Sequence, residues 1–543
     1  MKTLCPCLLL IALCVPVAGC GRTVTPQPTD AEADLPTEPT ADIATQLTSA
    51  TPAQVAHFCG GCHATPDPGL FPRDAWPAEV ERGFGLYFES RREDLVVPRV
   101  VEVVNYYRER APVELVIPAP ESTSGPSPVR WRVEDGEAGD RSVLPSTAHL
   151  RPVSTASAST PASAIASASA TNGSGSTAMS PPVGPRALLA CDMRLGEVRR
   201  AAFDGNRWVS EWTVPVASPA HAEPVDLDRD GHDDLVVADM AGVEAADHAR
   251  GKVVWLRWNP TTQRHETKVL AAGLGRVADV RPADLDNDGD PDLVVGEFGW
   301  HRTGQVFILW NERCSADDFS FRRELLESYP GAIHVPVVDL DADGRPDIVA
   351  LISQDQEMAI CFFNQGSGRF TRRVLWRSDD PSLGLSGMEP VDLDGDGDLD
   401  LLLTSGDTFD NLHIKPYHGV HLLRNHGADG FRFEPLALLP GAYRALPGDF
   451  DNDGDLDIVA CAFLTQEPLN AFDTAKFHSL VLLEQTAAGR FVRHPLEHGR
   501  FQHPTLAVDD FNFDGALDIA VGECPRDGAT PHPRFRVWWN VRP

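Results

Sequence analysis

The nine residues DLDNDGDPD, at positions 284–292, carry aspartates at their first, third, fifth and ninth positions and a glycine at their sixth. Carboxylates at this spacing can converge on one hard cation, and the glycine permits the sharp turn between them. The seventh position differs from repeat to repeat, as expected for coordination through a backbone carbonyl. The pattern occurs six times, at intervals of 58, 55, 53, 57 and 61 residues. The repeats are DLDRDGHDD (226–234), DLDNDGDPD (284–292), DLDADGRPD (339–347), DLDGDGDLD (392–400), DFDNDGDLD (449–457) and DFNFDGALD (510–518).

The residues around each repeat predict strands rather than helices. An EF-hand would need a glutamate at the twelfth position and flanking helices, but that position is apolar in all six repeats. Each repeat leads into an apolar run such as DLVVADM or DIVACAF, followed by further strand-like runs. About four strands in each interval is the content of one propeller blade. Strand-like runs before the first loop and after the last one predict a mainly β fold, a seven-bladed β-propeller closed by pairing of its two ends. Six or eight blades remain alternatives.

These aspartate repeats resemble the FG-GAP/VCBS family, whose blades bind Ca²⁺ in the loop between their first two strands. The resemblance implies about six calcium sites. In the sixth repeat an asparagine replaces one aspartate, which implies weaker binding there. The expected ligands are Asp226, Asp228, Asp230 and Asp234; Asp284, Asp286, Asp288 and Asp292; Asp339, Asp341, Asp343 and Asp347; Asp392, Asp394, Asp396 and Asp400; Asp449, Asp451, Asp453 and Asp457; and Asp510, Asn512, Asp514 and Asp518.

A second motif, C-x-x-C-H, lies near the N-terminus in AHFCGGCHATPDP (56–68). This spacing attaches c-type haem, with thioethers from Cys59 and Cys62 and an axial bond from His63. A zinc site would need a second pair of ligands, which the region lacks. Helical patterns on both sides of the motif resemble a small class I cytochrome c, so the resemblance implies an all-α haem domain at 50–112. Residues 64–148 contain no Met, His or Lys that could bind the distal side of the iron. Three alternatives for the sixth ligand therefore remain: no protein ligand, Tyr87, or a histidine from the propeller.

The N-terminus has the pattern of an export signal. A lysine precedes a short apolar run that ends in V-A-G-C, which resembles the lipobox of bacterial lipoproteins and implies a lipid on Cys20. The expected organisation is a signal peptide (1–19), a flexible tether (20–49), the haem domain (50–112), a connecting segment with an Ala/Ser-rich linker (113–185) and the propeller (186–543). The predicted location is the bacterial cell envelope, with the lipid as the membrane anchor.

The net charge of −32 over 543 residues argues against a nucleic acid partner. One insertion, SGDTFDNLHIKPYHGVHLLRNHG (405–427), brings acidic and histidine side chains together. Asp407, Asp410 and His418 are candidates for an extra metal site, while base rates favour an ordinary structural loop.

The overall pattern resembles bacterial lipoproteins that join a small cytochrome c domain to an FG-GAP/VCBS propeller. It implies a haem protein that transfers electrons to or from an unknown redox partner, with the propeller as a docking platform. The first alternative is a calcium-dependent propeller for adhesion or for binding a protein or glycan surface ligand. The second is an oxidoreductase with an active site on the propeller. An electron-transfer or binding protein is favoured over an enzyme.

Overall fold

The computed structural model of the chain describes residues 49–120, 126–136, 144–154, 186–313, 319–409, 411–465, 468, 472–526 and 532–541. The signal sequence, Cys20, most of the tether, the Ala/Ser-rich stretch and Asp410 lie outside these residues.

The helical segment (49–112) contains three α-helices. The first, α1 (Pro52–Cys59), begins after Thr51, whose side chain accepts a hydrogen bond from the Gln54 N–H while Gln54 accepts one from the Thr51 N–H. This reciprocal arrangement is a capping box, which fixes the start of the helix. The other helices are α2 (Trp76–Glu89), which the sequence analysis did not anticipate, and α3 (Val100–Arg110), which begins shortly after Pro98. Their core centres on Trp76, whose ring stacks on Tyr107 at 3.8 Å.

Within the described residues, twenty-nine strands form seven antiparallel sheets. The first of these strands is β1 (Arg130–Asp135). Blade 1 contains β2 (Thr147–Ser154), β3 (Arg186–Asp192), β4 (Glu197–Phe203) and β5 (Trp208–Pro215). Blade 2 contains β6 (Pro219–Val225), β7 (Asp234–Asp239), β8 (Gly251–Asn259) and β9 (Arg264–Leu274). Blade 3 contains β10 (Val277–Ala283), β11 (Asp292–Glu297), β12 (Gln305–Asn311) and β13 (Phe321–Glu327).

Blade 4 has its innermost strand in two pieces, and contains β14 (Ala332–His334), β15 (Val337–Val338), β16 (Asp347–Ile352), β17 (Met358–Asn364) and β18 (Phe370–Arg377). Blade 5 contains β19 (Leu385–Val391), β20 (Asp400–Ser405), β21 (Gly419–Asn425) and β22 (Phe431–Leu438). Blade 6 contains β23 (Ala442–Gly448), β24 (Asp457–Ala462), β25 (His478–Ala487) and β26 (Arg490–His498). Blade 7 contains β27 (Leu506–Asp509), β28 (Asp518–Gly522) and β29 (Phe535–Val541).

The ring closes by strand pairing between distant parts of the chain. Strand β1 pairs with β29 from Arg130 opposite Val541 to Asp135 opposite Arg536, and so supplies the outer strand of blade 7. This confirms the predicted seven blades and the pairing of the two ends. The sheets extend into the part expected to be a connecting segment, because β1 and β2 lie before residue 186.

The hydrophobic core lies between the faces of neighbouring blades. The second strands of blades 2 to 7 are buried along their whole length, as expected for apolar runs covered on both faces. One apolar cluster separates each neighbouring pair of blades, including blades 7 and 1, where Leu188 and Trp208 share a cluster with Phe535. The result is a closed ring of packed sheets with the innermost strands around a central channel.

Candidate functional site

The six aspartate loops follow the innermost strands of blades 2 to 7 and lead into the second strands. In blade 3 the fourth position of the loop, Asn287, has φ of 64° and the sixth, Gly289, has φ of 92°. The corresponding residues of the other five loops also have positive φ. The six loops therefore share one backbone conformation, in which glycine or asparagine is favoured.

Each first-position aspartate fixes its own loop through backbone hydrogen bonds. In blade 3, Asp284 accepts one from the Asp288 N–H at 3.1 Å and one from the Gly289 N–H at 3.0 Å. The same two bonds are present in the other five loops. The carboxylate is thus held in place before any cation arrives.

Five of the loops bring three carboxylates together, with ligand oxygens within 4.8 Å of one another in each group. Burial first, and then the carboxylates of Asp288 and Asp284, raise the pKa of Asp286. A cation would relieve this repulsion, so the loops could bind calcium. The groups are Asp226, Asp228 and Asp230; Asp284, Asp286 and Asp292; Asp339, Asp341 and Asp347; Asp392, Asp394 and Asp396; and Asp449, Asp451 and Asp453.

The sixth loop differs from these five. Asn512 stands at its third position, and its Nδ2 donates to Asp514 Oδ2 at 3.1 Å. One carboxylate is therefore replaced by an amide that is already bonded inside the loop. The weaker binding expected there stays a prediction.

The ninth-position aspartates tie the loop to the strands of its blade. Asp292 accepts hydrogen bonds from the Leu285 N–H at 3.2 Å and the Asn311 N–H at 2.8 Å. Burial raises the pKa of Asp292 to about 7. In blades 3 and 4 the ninth position, Asp292 or Asp347, completes the carboxylate group, whereas in blades 2, 5 and 6 the fifth position does. The assignment of the ninth-position aspartate as a ligand in all six loops stays a prediction.

Arginines lie beside several loops, and the sequence analysis did not identify them. Arg257 Nε lies 2.5 Å from Asp228 Oδ2, and Arg424 forms an ion pair with Asp394. Each arginine lies on the third strand of the blade whose loop it contacts. No sequence motif marks that position. They reduce the negative charge of their loops.

The insertion at 405–427 spans the loop between β20 and β21. The His418 side chain is fully buried, and its Nδ1 lies 3.4 Å from the Lys415 N–H. His421 Nε2 lies 2.8 Å from Ser405 Oγ. Among the described residues, no group of three metal-ligating side chains includes Asp407 or His418. Because Asp410 lies outside those residues, the candidate extra site stays a prediction.

The same loop instead packs against the helical segment. Lys415 Nζ donates a hydrogen bond to the Leu70 carbonyl at 2.6 Å and lies 3.3 Å from the centre of the Phe71 ring. The His413 ring contacts Phe71 edge-on at 5.8 Å. A second propeller loop, between β16 and β17, contributes Gln356, whose Nε2 donates to the Cys62 carbonyl at 3.2 Å. The helical segment thus contacts loops that join second and third strands, at the opposite ends of the blades from the aspartate loops.

The C-x-x-C-H motif lies at the end of α1 and just beyond it. Cys59 is half-buried, Cys62 is exposed, and Arg92 Nη1 donates to Cys62 Sγ at 2.9 Å. His63 Nδ1 lies 2.7 Å from the Ala64 carbonyl oxygen. If Nδ1 carries the proton and donates to that carbonyl, the Nε2 lone pair is free to bind a metal, which is the usual arrangement of a metal-ligating histidine.

Apolar side chains lie beside the motif. The Leu95 side chain packs against Gly61, between the two cysteines. The Val96 N–H lies 3.4 Å from His57 Nε2 on α1, and the Val96 side chain is 77% exposed. A porphyrin attached at the two cysteines would have an apolar surface to cover. The residues present therefore fit a c-type haem.

The distal side of such a haem is not assigned by these contacts. Tyr87 is 7% exposed and packs edge-on against Phe58 at 5.1 Å. In the part of the propeller that the structure describes, the side chain that hydrogen-bonds the motif is Gln356 rather than a histidine. All three expectations for the sixth ligand stay predictions.

A closed ring of seven sheets with aspartate loops on six blades defines a β-propeller with candidate cation sites. Two stretches of the chain, 226–295 and 339–403, match the model of the FG-GAP-like repeat family. The chain therefore contains FG-GAP-like repeats, as the resemblance of its aspartate repeats implied. A search of curated proteins found no match.

Similar solved structures have low sequence identity to this chain. The N-terminal domain of Nup159 aligns at 9% identity with a TM-score of 0.39, covering 78% of this chain and 98% of that one. BBS1N in complex with ARL6DN, from a lead-soaked crystal, aligns at 11% identity with a TM-score of 0.37, covering 66% and 90%. Within the described residues, none of the helices is long and apolar enough to cross a bilayer.

Proposed function

We propose that this chain is a calcium-binding propeller that carries a covalent c-type haem on its helical segment and transfers electrons. The observation that carries the proposal is the arrangement at the motif, where His63 Nδ1 lies 2.7 Å from the Ala64 carbonyl oxygen. A proton on Nδ1 would leave the Nε2 lone pair for iron. Cys59 and Cys62 would hold the porphyrin through thioethers. When bound, the haem supplies one-electron redox chemistry.

The chain's own residues would position the motif and limit its movement. Arg92 donates to the Gly61 carbonyl at 3.1 Å as well as to Cys62, and forms an ion pair with Asp94 at 2.6 Å. Gln356 connects the Cys62 carbonyl to the propeller. The propeller would thereby act as a rigid platform for the motif and for a redox partner protein.

The aspartate loops would hold Ca²⁺ and stabilise the blades. Six ions would bring the net charge from −32 to −20 and offset the repulsion within each loop. An ion that binds the folded loop but not the unfolded chain adds stability by mass action.

The proposed location is the bacterial cell envelope. The export signal (1–19), a lipid on Cys20 and the tether (20–49) would hold the folded part near a membrane surface. A second candidate function is calcium-dependent recognition of a protein or glycan, which the FG-GAP-like repeats favour.

An absorption spectrum of the purified chain, produced in a host that matures c-type haem, tests the proposal. Dithionite should produce the bands of a reduced c-type cytochrome, and the double substitution Cys59→Ala, Cys62→Ala should abolish them. His63→Ala should change the spectrum, whereas His57→Ala, on the preceding turn, should leave the bands in place. Carbon monoxide should shift the spectrum only if the sixth position is open or weakly held. A chain without haem would overturn the redox function and leave the second candidate.

A further inference from the structure

One residue of each third strand lies beside the ninth-position aspartate of its blade. In blade 2 the Trp258 N–H donates to Asp234 at 2.6 Å, and in blade 5 the Asn425 N–H donates to Asp400 at 2.7 Å. The corresponding N–H makes the same bond in blades 3, 4, 6 and 7, with the same register between second and third strands. The residue directly before this N–H, the flanking residue, therefore has an equivalent place in six blades. The flanking residues of blades 2 to 7 are Arg257, Trp310, Phe363, Arg424, Glu484 and Trp539.

Blade 2 has a cation at this place, and it contacts the aspartate loop. Arg257 Nε lies 2.5 Å from Asp228 Oδ2, and its Nη2 lies 3.8 Å from Asp230 Oδ2. These are two of the three carboxylates that come together in this loop. Because Asp228 is 3% exposed, solvent screens the pair only weakly. Arg257 thus neutralises part of the group and occupies acceptor sites that calcium ligation would need.

Blade 5 has the second cation at the flanking position. Arg424 forms an ion pair with Asp394, which belongs to the carboxylate group of that blade. Its Nε also lies 3.1 Å from Glu434 Oε2, on the outer strand β22. Part of its charge is therefore compensated outside the loop, so we expect Arg424 to affect its loop less than Arg257 does.

The loops of blades 3 and 6 lack such a cation. Their flanking residues are Trp310 and Glu484, and none of the described arginines forms an ion pair with an expected ligand of either loop. Blade 4 is intermediate, because Arg345 inside the loop pairs with Asp343 at the fifth position. The loops that share one backbone conformation therefore differ in the positive charge placed against their carboxylates.

We propose that Arg257 and Arg424 lower the calcium affinity of the loops in blades 2 and 5, so that the loops of blades 3 and 6 fill at lower free calcium. This order of filling rests on the calcium binding proposed above. Two positive charges at one carboxylate repel each other, so each arginine opposes the ion in its own loop. In the absence of calcium, the same arginines offset the repulsion between the aspartates that they contact.

Chelator-buffered calcium titration of the full chain compares the wild type with Arg257→Gln. The substitution removes the charge and should tighten one site about ten-fold or more. Arg424→Gln should tighten one site by a smaller factor, and Arg257→Lys, which keeps the charge, should leave the affinity near that of the wild type. Arg264→Gln, at an exposed position in β9 of the same blade, is the matched control and should have no effect.

A double substitution assigns the change to the loop of blade 2. Asp226→Asn removes one of the carboxylates that come together there, so Arg257→Gln should tighten no site in its presence. An unchanged circular dichroism spectrum is the check on folding for each variant.

Stability with and without calcium separates charge repulsion from a loss of packing. In EDTA, Arg257→Gln should lower the stability, because the buried Asp228 loses its charged partner. The stability gained on adding excess calcium should exceed the gain of the wild type, by about 1.4 kcal/mol for a ten-fold change in affinity. A purely structural role for Arg257 would lower the stability equally in both conditions.

Unchanged calcium affinity in a folded Arg257→Gln variant would overturn the inference while leaving calcium binding itself intact. Tightening that persists beside Asp226→Asn, or an equal loss of stability with and without calcium, would do the same. A chain that binds no calcium would overturn the proposed calcium binding and the order of filling together.

Discussion

The buried Lys415 should make the stability of the chain depend on pH. Its side chain is 1% exposed, and its Nζ bonds to the Leu70 carbonyl and lies over the Phe71 ring of the helical segment. Burial lowers the pKa of Lys415 to about 7, and the carboxylate of Asp380 offsets this only in part. The folded chain therefore holds the neutral amine more readily than the unfolded chain does.

The direction of the effect follows from proton linkage. In the unfolded chain the lysine keeps its ordinary pKa of 10.5. Below pH 7 both states carry the proton, and the folded state bears the cost of the buried charge. Between pH 7 and 10.5 only the unfolded state keeps the proton, so the free energy of unfolding rises with pH. At about 1.4 kcal/mol per pH unit, the rise from pH 6 to pH 9 is about 2.5 kcal/mol.

Guanidinium unfolding at pH 6 and pH 9, with saturating calcium, measures this rise. Lys415→Met keeps the apolar stem but cannot bind a proton, so its stability difference between the two pH values should be smaller than the wild type's by about 2.5 kcal/mol. Lys476→Met, at a lysine whose side chain is 75% exposed, should behave as the wild type. All other titrating groups cancel in the comparison. Equal pH dependence in Lys415→Met and the wild type would refute the reasoning.

Three further predictions concern the aspartate loops. Asp284→Asn should lower the number of bound calcium ions by one. Asp290→Asn makes the same charge change in the same loop and should not lower that number. Calcium titration in a chelator-buffered solution distinguishes the two variants. Asp457→Asn should destabilise the chain by about 1–3 kcal/mol even in EDTA, because an amide leaves a buried N–H without a good acceptor; an unchanged denaturation midpoint in EDTA would contradict this. Phe513 has φ of 62° and is 47% exposed, so Phe513→Asn should raise the free energy of unfolding by about 1 kcal/mol, and a loss of stability would contradict the expected relief of strain.

The blade count could be predicted from the sequence because each blade repeats a local pattern. The aspartate loop, the glycine turn and the buried second strand all lie within about twenty residues, as in DLDNDGDPDLVVGEF (284–298). Strand β1 gave no such signal. Its residues are exposed or half-buried without strict alternation, and its partner β29 lies about four hundred residues further along the chain, so only the folded ring brings them together.

The contacts of the helical segment could not be predicted in the same way. Lys415 lies in a polar insertion whose pattern suggested a metal site, and nothing local indicated that it would be buried against Leu70 and Phe71. Long-range packing, rather than sequence periodicity, sets these positions.

The decisive measurement is the iron and calcium content of the full chain. The chain is produced in a host that matures c-type haem, purified, and dialysed against calcium-free buffer. We predict one iron per chain, which stays with the denatured polypeptide. We also predict five to six calcium ions, which EDTA removes. Calcium without iron would contradict the redox function and leave a calcium-binding propeller. A chain that contains neither iron nor calcium would contradict the assignment of both the motif and the loops.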